Sequence, residues 1–286
     1  MITEQQNDFA KEVDIMSFRI GFTAEESAID TIETAADVAR QTAVPRKSVV
    51  LVNFPKRNMT LAYYNDMFDL HCGDMVFVDG KLEGLRGHVV EVNYNFKIKI
   101  SDYKRVIAVA DTSVSGDFFI AGSHFATFDR EALPAAKIVT WYKAPVKEED
   151  EFVSGSDETS FILDDLGKMN VSSSVAQRGH DYYVENKVRY ISVDGTHGYA
   201  IVEGSEAYEV EFEYRNGEIS DLTCSCFCSY NCKHEFAAML QLRDTLKHIE
   251  ENYADEFDRT GYFAAVSKGA FFSFVIDSKE SGKFTV

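Results

Sequence analysis

The chain has 286 residues, 45% of them hydrophobic, which is enough apolar material for two modest cores. Its 47 acidic and 29 basic side chains give a formal net charge of −18, which opposes non-specific binding to phosphate backbones. The sequence contains no apolar run long enough to cross a bilayer, and its first residues lack the pattern of a secretory signal. These features predict a cytoplasmic protein in a reducing compartment, with no membrane contact.

The first half of the chain has the pattern of short strands. Residues 15–22 predict a short edge strand, and the capping box that begins at Thr23 predicts a helix to about residue 41. Between residues 48 and 142, short apolar segments alternate with glycine-rich turns, including the apolar segment 138–142. This region resembles SH3-like small barrels, so we expect a β-rich unit there.

A basic and aromatic segment lies within this region. Residues 96–100 alternate apolar and basic side chains, which predicts a half-buried strand. The candidate nucleic-acid contacts are Tyr94, Phe96, Lys97, Lys99, Lys104 and Arg105. Interleaved aromatic and basic side chains are typical of proteins that bind single strands. A strand with lysines on its solvent face has the same pattern, so both interpretations stay open.

An acidic segment rich in serine and glycine, residues 146–165, predicts a linker. It would separate an N-terminal α+β domain (1–145) from a C-terminal domain (166–286). In the second domain, hairpin-type turns accompany three strand candidates, 187–193, 199–203 and 208–214, and residues 219–223 lead into Cys224. Apolar residues then recur every three or four positions after His234, which predicts a helix. An aromatic, strand-like segment, 262–276, follows, and the whole chain is predicted to be α+β.

Four of the five cysteines lie within residues 224–232, and a histidine follows. Residues i and i+2 of a strand point to the same side, so Cys224 and Cys226 can face one ion. Cys232 and His234 repeat this spacing where a helix begins, and a helix N-terminus favours thiolates. In a reducing compartment such a cluster favours a metal over disulfides. We therefore predict one structural Zn²⁺ held by three cysteines and one histidine. Cys228 is an alternative ligand in a second register.

Residues 178–242 resemble the SWIM zinc finger, whose pattern is C-x-C, a variable loop and C-x-H. Upstream, residues 178–183, 188–193 and 202–210 resemble the strands that lead into that finger, and residues 232–240 resemble its closing helix. Phe227, where many members have proline, and the additional Cys228 depart from the pattern. Members of this family occur beside helicase-type ATPases, in Mutator-type transposases and in partners of recombinases. The resemblance implies that the domain binds DNA or protein.

The sequence predicts recognition rather than catalysis. Four protein ligands leave no open position for a reactive water on the metal. Glu235 is not part of an H-E-x-x-H motif, and we expect it to be a solvated residue that complements the helix dipole. We therefore predict a zinc-binding module that docks a protein partner and is not an enzyme. Direct nucleic-acid binding through residues 94–105 is the alternative, a zinc-dependent enzyme is the third hypothesis, and no small-molecule substrate is indicated.

Overall fold

The computed structural model describes residues 17–20, 45–144, 160–228 and 230–276. In chain order its strands are Ser17–Ile20 (β1), Ser48–Phe54 (β2), Met59–Asn65 (β3), Met75–Val78 (β4), Gly87–Asn93 (β5), Val106–Ala110 (β6), Gly116–Ala121 (β7), His124–Thr127 (β8), Phe161–Ile162 (β9), Val188–Asp194 (β10), His197–Glu203 (β11), Ala207–Arg215 (β12), Glu218–Cys224 (β13) and Tyr262–Ser267 (β14). Its α-helices are Ala135–Val139, Ser173–Val184, Lys233–Asn252, Ala254–Thr260 and Lys268–Phe271. Shorter 3₁₀ turns occupy Pro55–Arg57, Ile100–Asp102 and Leu166–Lys168, and a π turn spans Phe272–Ile276. The α+β prediction is therefore confirmed.

Strands β2 to β6 form a five-stranded antiparallel sheet in the order β3-β2-β5-β4-β6. Alternate residues of β2 are buried, including Val50 and Val52, as expected for a strand with one face on a core. The amide of Tyr64 in β3 donates to the carbonyl of Lys104, just before β6, at 2.9 Å. This contact joins the two outer strands, so the sheet curls as a small barrel does. We call this unit the small sheet.

The second sheet has nine strands in the order β1-β7-β8-β14-β10-β11-β12-β13-β9. β1 is an edge strand, as predicted for residues 15–22. β7 and β8 precede the predicted linker and β10 to β14 follow it, so one sheet joins chain segments from both sides. The last residues of the predicted linker, 146–165, also enter this sheet, because β9 pairs with β13 and Phe161 is buried. Most of that linker, and the helix predicted for residues 23–41, lie outside the described residues.

Each face of the nine-stranded sheet is covered by a different layer. Ile201 and Val202 are neighbours in β11 and therefore point to opposite faces. Val202 belongs to the core that contains Ala238 of the helix Lys233–Asn252, which we call the long helix. Ile201 belongs to the core that contains Phe77 of the small sheet. The order of layers is thus long helix, nine-stranded sheet, small sheet.

Two segments predicted as strands before the linker have other conformations. Residues 96–100 are irregular and end in a 3₁₀ turn, and Phe96 packs its ring on Tyr64 at 6.2 Å rather than entering a ladder. The segment 138–142 is not a strand, because its first residue, Ile138, lies in the short helix Ala135–Val139. Ile138 and Trp141 are both fully buried, so the apolar spacing is three, as in a helix, and not two.

Two further strand predictions, in the C-terminal half, are also wrong. Residues 178–183, which resemble strands leading into a zinc finger, belong to the helix Ser173–Val184, which we call the Tyr182 helix. Its N-cap is Ser172, whose hydroxyl accepts from the amide of Val175 at 3.3 Å. Residues 271–276 are helical, although β14 just before them is a strand as predicted. None of the helices in the described parts of the chain is long and apolar enough to cross a membrane.

Gly198 of β11 lies directly opposite Phe212 of β12, and a Cβ at residue 198 would overlap the phenyl ring. Gly198→Ala should therefore lower the free energy of unfolding by about 1–3 kcal/mol, the usual cost of overpacking a core. Urea titration measures this loss. Gly167→Ala is the matched control, because its Cβ would meet nothing closer than 3.4 Å. Equal stability of the two variants would contradict the packing described for this sheet.

Candidate metal centre

The cysteine and histidine side chains meet where β13 ends and the long helix begins. Cys224 is the last residue of β13, and Cys226 follows in the loop. Cys232 is the N-cap of the long helix and His234 is its second residue. The sequence spacing predicted this arrangement, because an extended strand end and a helix start each present residues i and i+2 to one side.

The four ligand atoms of Cys224, Cys226, Cys232 and His234 all lie within 4.8 Å of one another. Nδ1 of His234 is 3.7 Å from Sγ of Cys224 and 3.7 Å from Sγ of Cys232. For Zn–S bonds of about 2.3 Å and a Zn–N bond of about 2.0 Å, a tetrahedral S···N edge is about 3.5 Å. The observed separations are therefore close to those of a tetrahedral site, and the residues fit a zinc ion.

Cys228, the alternative ligand, does not belong to this group of four. It is exposed, whereas Cys226, Cys232 and His234 are buried. All five cysteines are free thiols, and the fifth, Cys72, is exposed, with its Sγ 3.5 Å from the carbonyl oxygen of Val90 in β5. The geometry thus favours the register with Cys224 and Cys226 as the first pair of ligands.

The surroundings of Cys226, Cys232 and His234 favour the neutral form of these three side chains when no cation is present. Burial raises the pKa of Cys226 to about 12, and a hydrogen bond with Cys224 together with burial raises the pKa of Cys232 far above its ordinary value. Burial, with a smaller contribution from Lys233, lowers the pKa of His234 to about 4. Three thiols and one neutral imidazole are good ligands only when a metal ion takes the place of the thiol protons.

Glu235 is buried rather than solvated, so that prediction is wrong. Its carboxylate accepts a hydrogen bond from the amide of Cys232 at 2.6 Å. The side chain of Cys232 in turn caps the amide of Glu235, which completes a capping box with a cysteine at the N-cap. The carboxylate therefore fixes the backbone of a metal ligand instead of facing water.

The imidazole of His234 is held by aromatic rings. The ring of Tyr208 stacks on it at 4.1 Å with an interplanar angle of 17°, and the ring of Tyr182 lies 5.6 Å away. Its Nε2 is buried without a hydrogen-bond partner in the described chain. A Cβ at Gly204 would lie 3.3 Å from the Tyr182 hydroxyl and 3.5 Å from Nε2, so this glycine keeps the space between them open.

The sequence did not single out these aromatic contacts. One signal was present: Tyr208 precedes Val210 by two residues, and Val210 pairs with Cys224. Knowing how β12 pairs with β13 would have placed the Tyr208 ring beside the cluster, but no sequence pattern determines that pairing.

A carboxylate on β12 anchors the strand that enters the loop. The amide of Ser225 donates to the carbonyl of Glu209 at 2.9 Å, and the amide of Glu209 donates to the Ser225 hydroxyl at 2.9 Å. The carboxylate of Glu209 accepts from Lys143 at 2.6 Å and from Tyr199 at 2.7 Å. Burial alone would raise the pKa of Glu209, but these two hydrogen bonds lower it below its ordinary value. The start of the loop is thus tied to β12, whose Glu209 carboxylate is in turn bound by Lys143 and Tyr199.

The six candidate nucleic-acid residues lie on the small sheet, in the irregular segment after β5. Lys97, Lys99 and Lys104 are exposed. The aromatic and guanidinium groups already have partners: Arg46 lies 4.3 Å over the Tyr94 ring, Phe96 packs on Tyr64, and Arg105 binds Asp66 at 2.7 Å. Of the six, the lysines are exposed, whereas Tyr94, Phe96 and Arg105 already contact other side chains.

Comparisons with known proteins add little to these observations. No protein-family model matches the chain, and no solved structure matches it. The chain is 28% identical over 96 residues to the uncharacterized protein MJ1493 of Methanocaldococcus jannaschii. This match covers 31% of the chain and 41% of that protein, so the chain spans less than half of the relative. The geometry of the site is what carries the functional argument.

We expect the reduced protein to bind one zinc ion, and Cys232→Ser or His234→Ala to lose it, because each removes one of four converging ligands. Metal analysis of purified protein measures the stoichiometry, and Co²⁺ substitution reports tetrahedral thiolate coordination. Cys228→Ser is the control and should keep full metal content. Loss of zinc in Cys228→Ser with retention in Cys232→Ser would reverse the ligand assignment.

Proposed function

We propose that this protein is a zinc-binding recognition module of the SWIM type, in which the metal-held loop docks a protein partner. The ion ties the end of β13 to the start of the long helix. The residues between Cys226 and Cys232 are then presented on a rigid base. The proposal is supported by the converging donors and by the side chains that this loop exposes.

The observation that carries the proposal is the aromatic tip of the loop, Phe227 and Tyr230. Phe227 is 100% exposed and Tyr230 is 85% exposed, beside a buried metal cluster. Exposed aromatic side chains are enriched among residues that dominate protein interfaces, because they bury a large area at small entropic cost. A rigid loop that presents two such rings is pre-organised for docking, which reduces the ordering cost of binding.

A protein partner fits the charge of the chain better than a nucleic acid does. The net charge of −18 repels phosphate backbones at long range. Near the cluster, Lys187 and Lys233 both lie over the Tyr182 ring, at 4.4 and 5.2 Å. Lys187 is already paired with Glu185 at 2.6 Å. Three thiolates and Zn²⁺ carry one net negative charge, which Lys233 offsets, so no large basic patch is left here for a phosphate chain.

The same geometry argues against an enzymatic role for the metal. Four protein donors complete a tetrahedral shell, whereas a catalytic zinc keeps one position for water. Glu235, the acid nearest in sequence, is engaged in capping the helix and accepts from Cys232. We therefore propose a structural ion and a non-catalytic protein.

A second candidate function is direct binding of single-stranded nucleic acid by the small sheet. The lysines Lys97, Lys99 and Lys104 are exposed, and the ring of Tyr94, in the same segment between β5 and β6, is 36% exposed. Such a surface binds phosphates through charge and bases through stacking. The contacts already made by Phe96 and Arg105 weaken this hypothesis relative to the docking loop.

Replacing both loop aromatics (Phe227→Ser with Tyr230→Ser) should abolish capture of the protein partner while zinc content and stability stay unchanged. Affinity purification from the native host with mass spectrometry identifies the partner, and binding is then repeated with the two purified proteins. The expected loss is at least about 2 kcal/mol, or thirtyfold, as for an interface hot spot. Met67→Ser, at a residue 60% exposed on the small sheet, is the matched control. Unchanged affinity of the double variant would refute docking through this loop.

Titration of labelled single-stranded DNA at 50 and 200 mM salt tests the second candidate. If the small sheet binds phosphates, the affinity should fall steeply with salt, and replacing Lys97 and Lys99 by glutamine should reduce the logarithmic slope by about 1.4. The control replaces Lys168 and Lys247, which are exposed on other elements. Absence of binding at the lower salt concentration, or equal slopes for both variants, would eliminate this function.

A further inference from the structure

A cleft of about 370 Å³ is lined by residues of the small sheet and of the nine-stranded sheet. Met75 and Arg86 line it from the small sheet, and Arg189 and Glu203 line it from β10 and β11. Phe274, from the C-terminal π turn, forms an apolar wall. Neither the metal site nor the docking loop contributes to this cleft.

The cleft is basic although the protein is strongly acidic. Lys56, Arg86 and Arg189 face it, and Glu203 is the carboxylate among its lining residues. Arg189 donates from Nε to Glu203 at 2.8 Å, but Arg86 is 3.8 Å from the same carboxylate. The three cations and the one carboxylate together leave two positive charges at the cleft. The remaining titratable group, His88, adds none, because burial and then Arg86 lower its pKa.

Arg86 is held in place in a way that leaves its charge only loosely compensated. Its side chain is 20% exposed, and Nη1 donates to the carbonyl of Trp141 at 2.9 Å. The rings of Tyr142 and Phe274 lie 5.4 and 4.9 Å from its Cζ. The Glu203 carboxylate near Arg86 is already bound by Arg189. Burying the Arg86 guanidinium with so little compensation costs free energy unless a further anion binds it.

Tyr142 supplies the second, independent observation. It lines the cleft with only 8% of its surface exposed, and its hydroxyl has no hydrogen-bond partner among the described residues. Burial raises its pKa well above the ordinary value, so the hydroxyl is a neutral donor. A buried hydroxyl without a partner is uncommon in proteins and indicates a group that is satisfied when a ligand binds.

We propose that this cleft binds the phosphate group of a small phosphorylated molecule. Two guanidinium groups, one ammonium group and one hydroxyl line it, and a phosphate offers three acceptor oxygens in different directions. A phosphate monoester carries a charge of about −1.5 to −2, which matches the two uncompensated positive charges. Met75 and Phe274 provide apolar surface for the rest of the molecule. The net charge of −18 disfavours a polymer of phosphates here.

The proposal is independent of the docking function, since it depends on different residues. The two sites are nevertheless close along the chain. Glu203 faces the cleft, and the next residue, Gly204, borders the ring of His234 in the metal cluster. Both sites thus rest on the end of β11.

Titration calorimetry of the full-length zinc-loaded protein with inorganic phosphate and with phenyl phosphate tests the proposal. Phenyl phosphate should bind more tightly than inorganic phosphate because its ring can contact Phe274. Tyr142→Phe should weaken phenyl phosphate binding about tenfold, as expected for one hydrogen bond to a charged group. The same variant should be as stable as the wild type or more so, because it removes a hydroxyl that has no protein partner. A purely structural role for this tyrosine would give lower stability and unchanged affinity.

Arg189→Gln should also weaken binding by at least about tenfold, since it removes a charge-assisted contact. Arg130→Gln is the matched control, because Arg130 forms an exposed ion pair with Asp194 away from the cleft. Failure of the wild type to bind either probe at millimolar concentration would overturn the proposal. Equal affinities in wild type and Tyr142→Phe would overturn it as well, and so would tighter binding of a single-stranded oligonucleotide that competes with phenyl phosphate.

Discussion

The structure depends on the junction between the end of β13 and the start of the long helix. Four soft or borderline donors converge there within 4.8 Å, and three of the four residues are buried. Without a cation, burial favours the protonated thiol of Cys226 and the neutral imidazole of His234, and a hydrogen bond with Cys224 together with burial favours the protonated thiol of Cys232. A bound metal ion that replaced the thiol protons would join the two elements through four ligand bonds. The capping carboxylate of Glu235 and the stacked ring of Tyr208 then fix the orientation of Cys232 and His234.

In the proposed function, this junction also determines where the protein partner docks. The described residues between Cys226 and Cys232 lie in no strand or helix, so their arrangement depends on the ligands at the two ends of the loop. Its aromatic side chains, Phe227 and Tyr230, are fully or largely exposed because the buried cluster lies beneath them. The basic cleft is lined by residues of both sheets, so its shape depends on how the small sheet packs on the nine-stranded sheet. The two proposed sites therefore share the end of β11, but metal ligands shape the docking loop and sheet packing shapes the cleft.

Features set by short stretches of chain could be predicted from the sequence. The hairpins of β10 to β13 follow from local turns, and the i and i+2 ligand spacing follows from strand and helix geometry. Features that depend on distant segments could not. β14 pairs with β8 and β10, which are far from it in the chain, and no local pattern encodes that choice. Burial of Glu235 and stacking of Tyr208 on His234 likewise depend on tertiary contacts. The Tyr182 helix was missed because its sequence matched the strand expected before a zinc finger.

X-ray absorption at the zinc edge of the natively purified protein tests the central claim most directly, because it measures the bonds at the junction. The account predicts three sulfur ligands at about 2.3 Å and one nitrogen ligand at about 2.0 Å, with no bound water. His234→Ala should remove the nitrogen contribution if any metal remains bound. A spectrum with two sulfurs and several oxygen or nitrogen ligands, or a purified protein without zinc, would contradict the account.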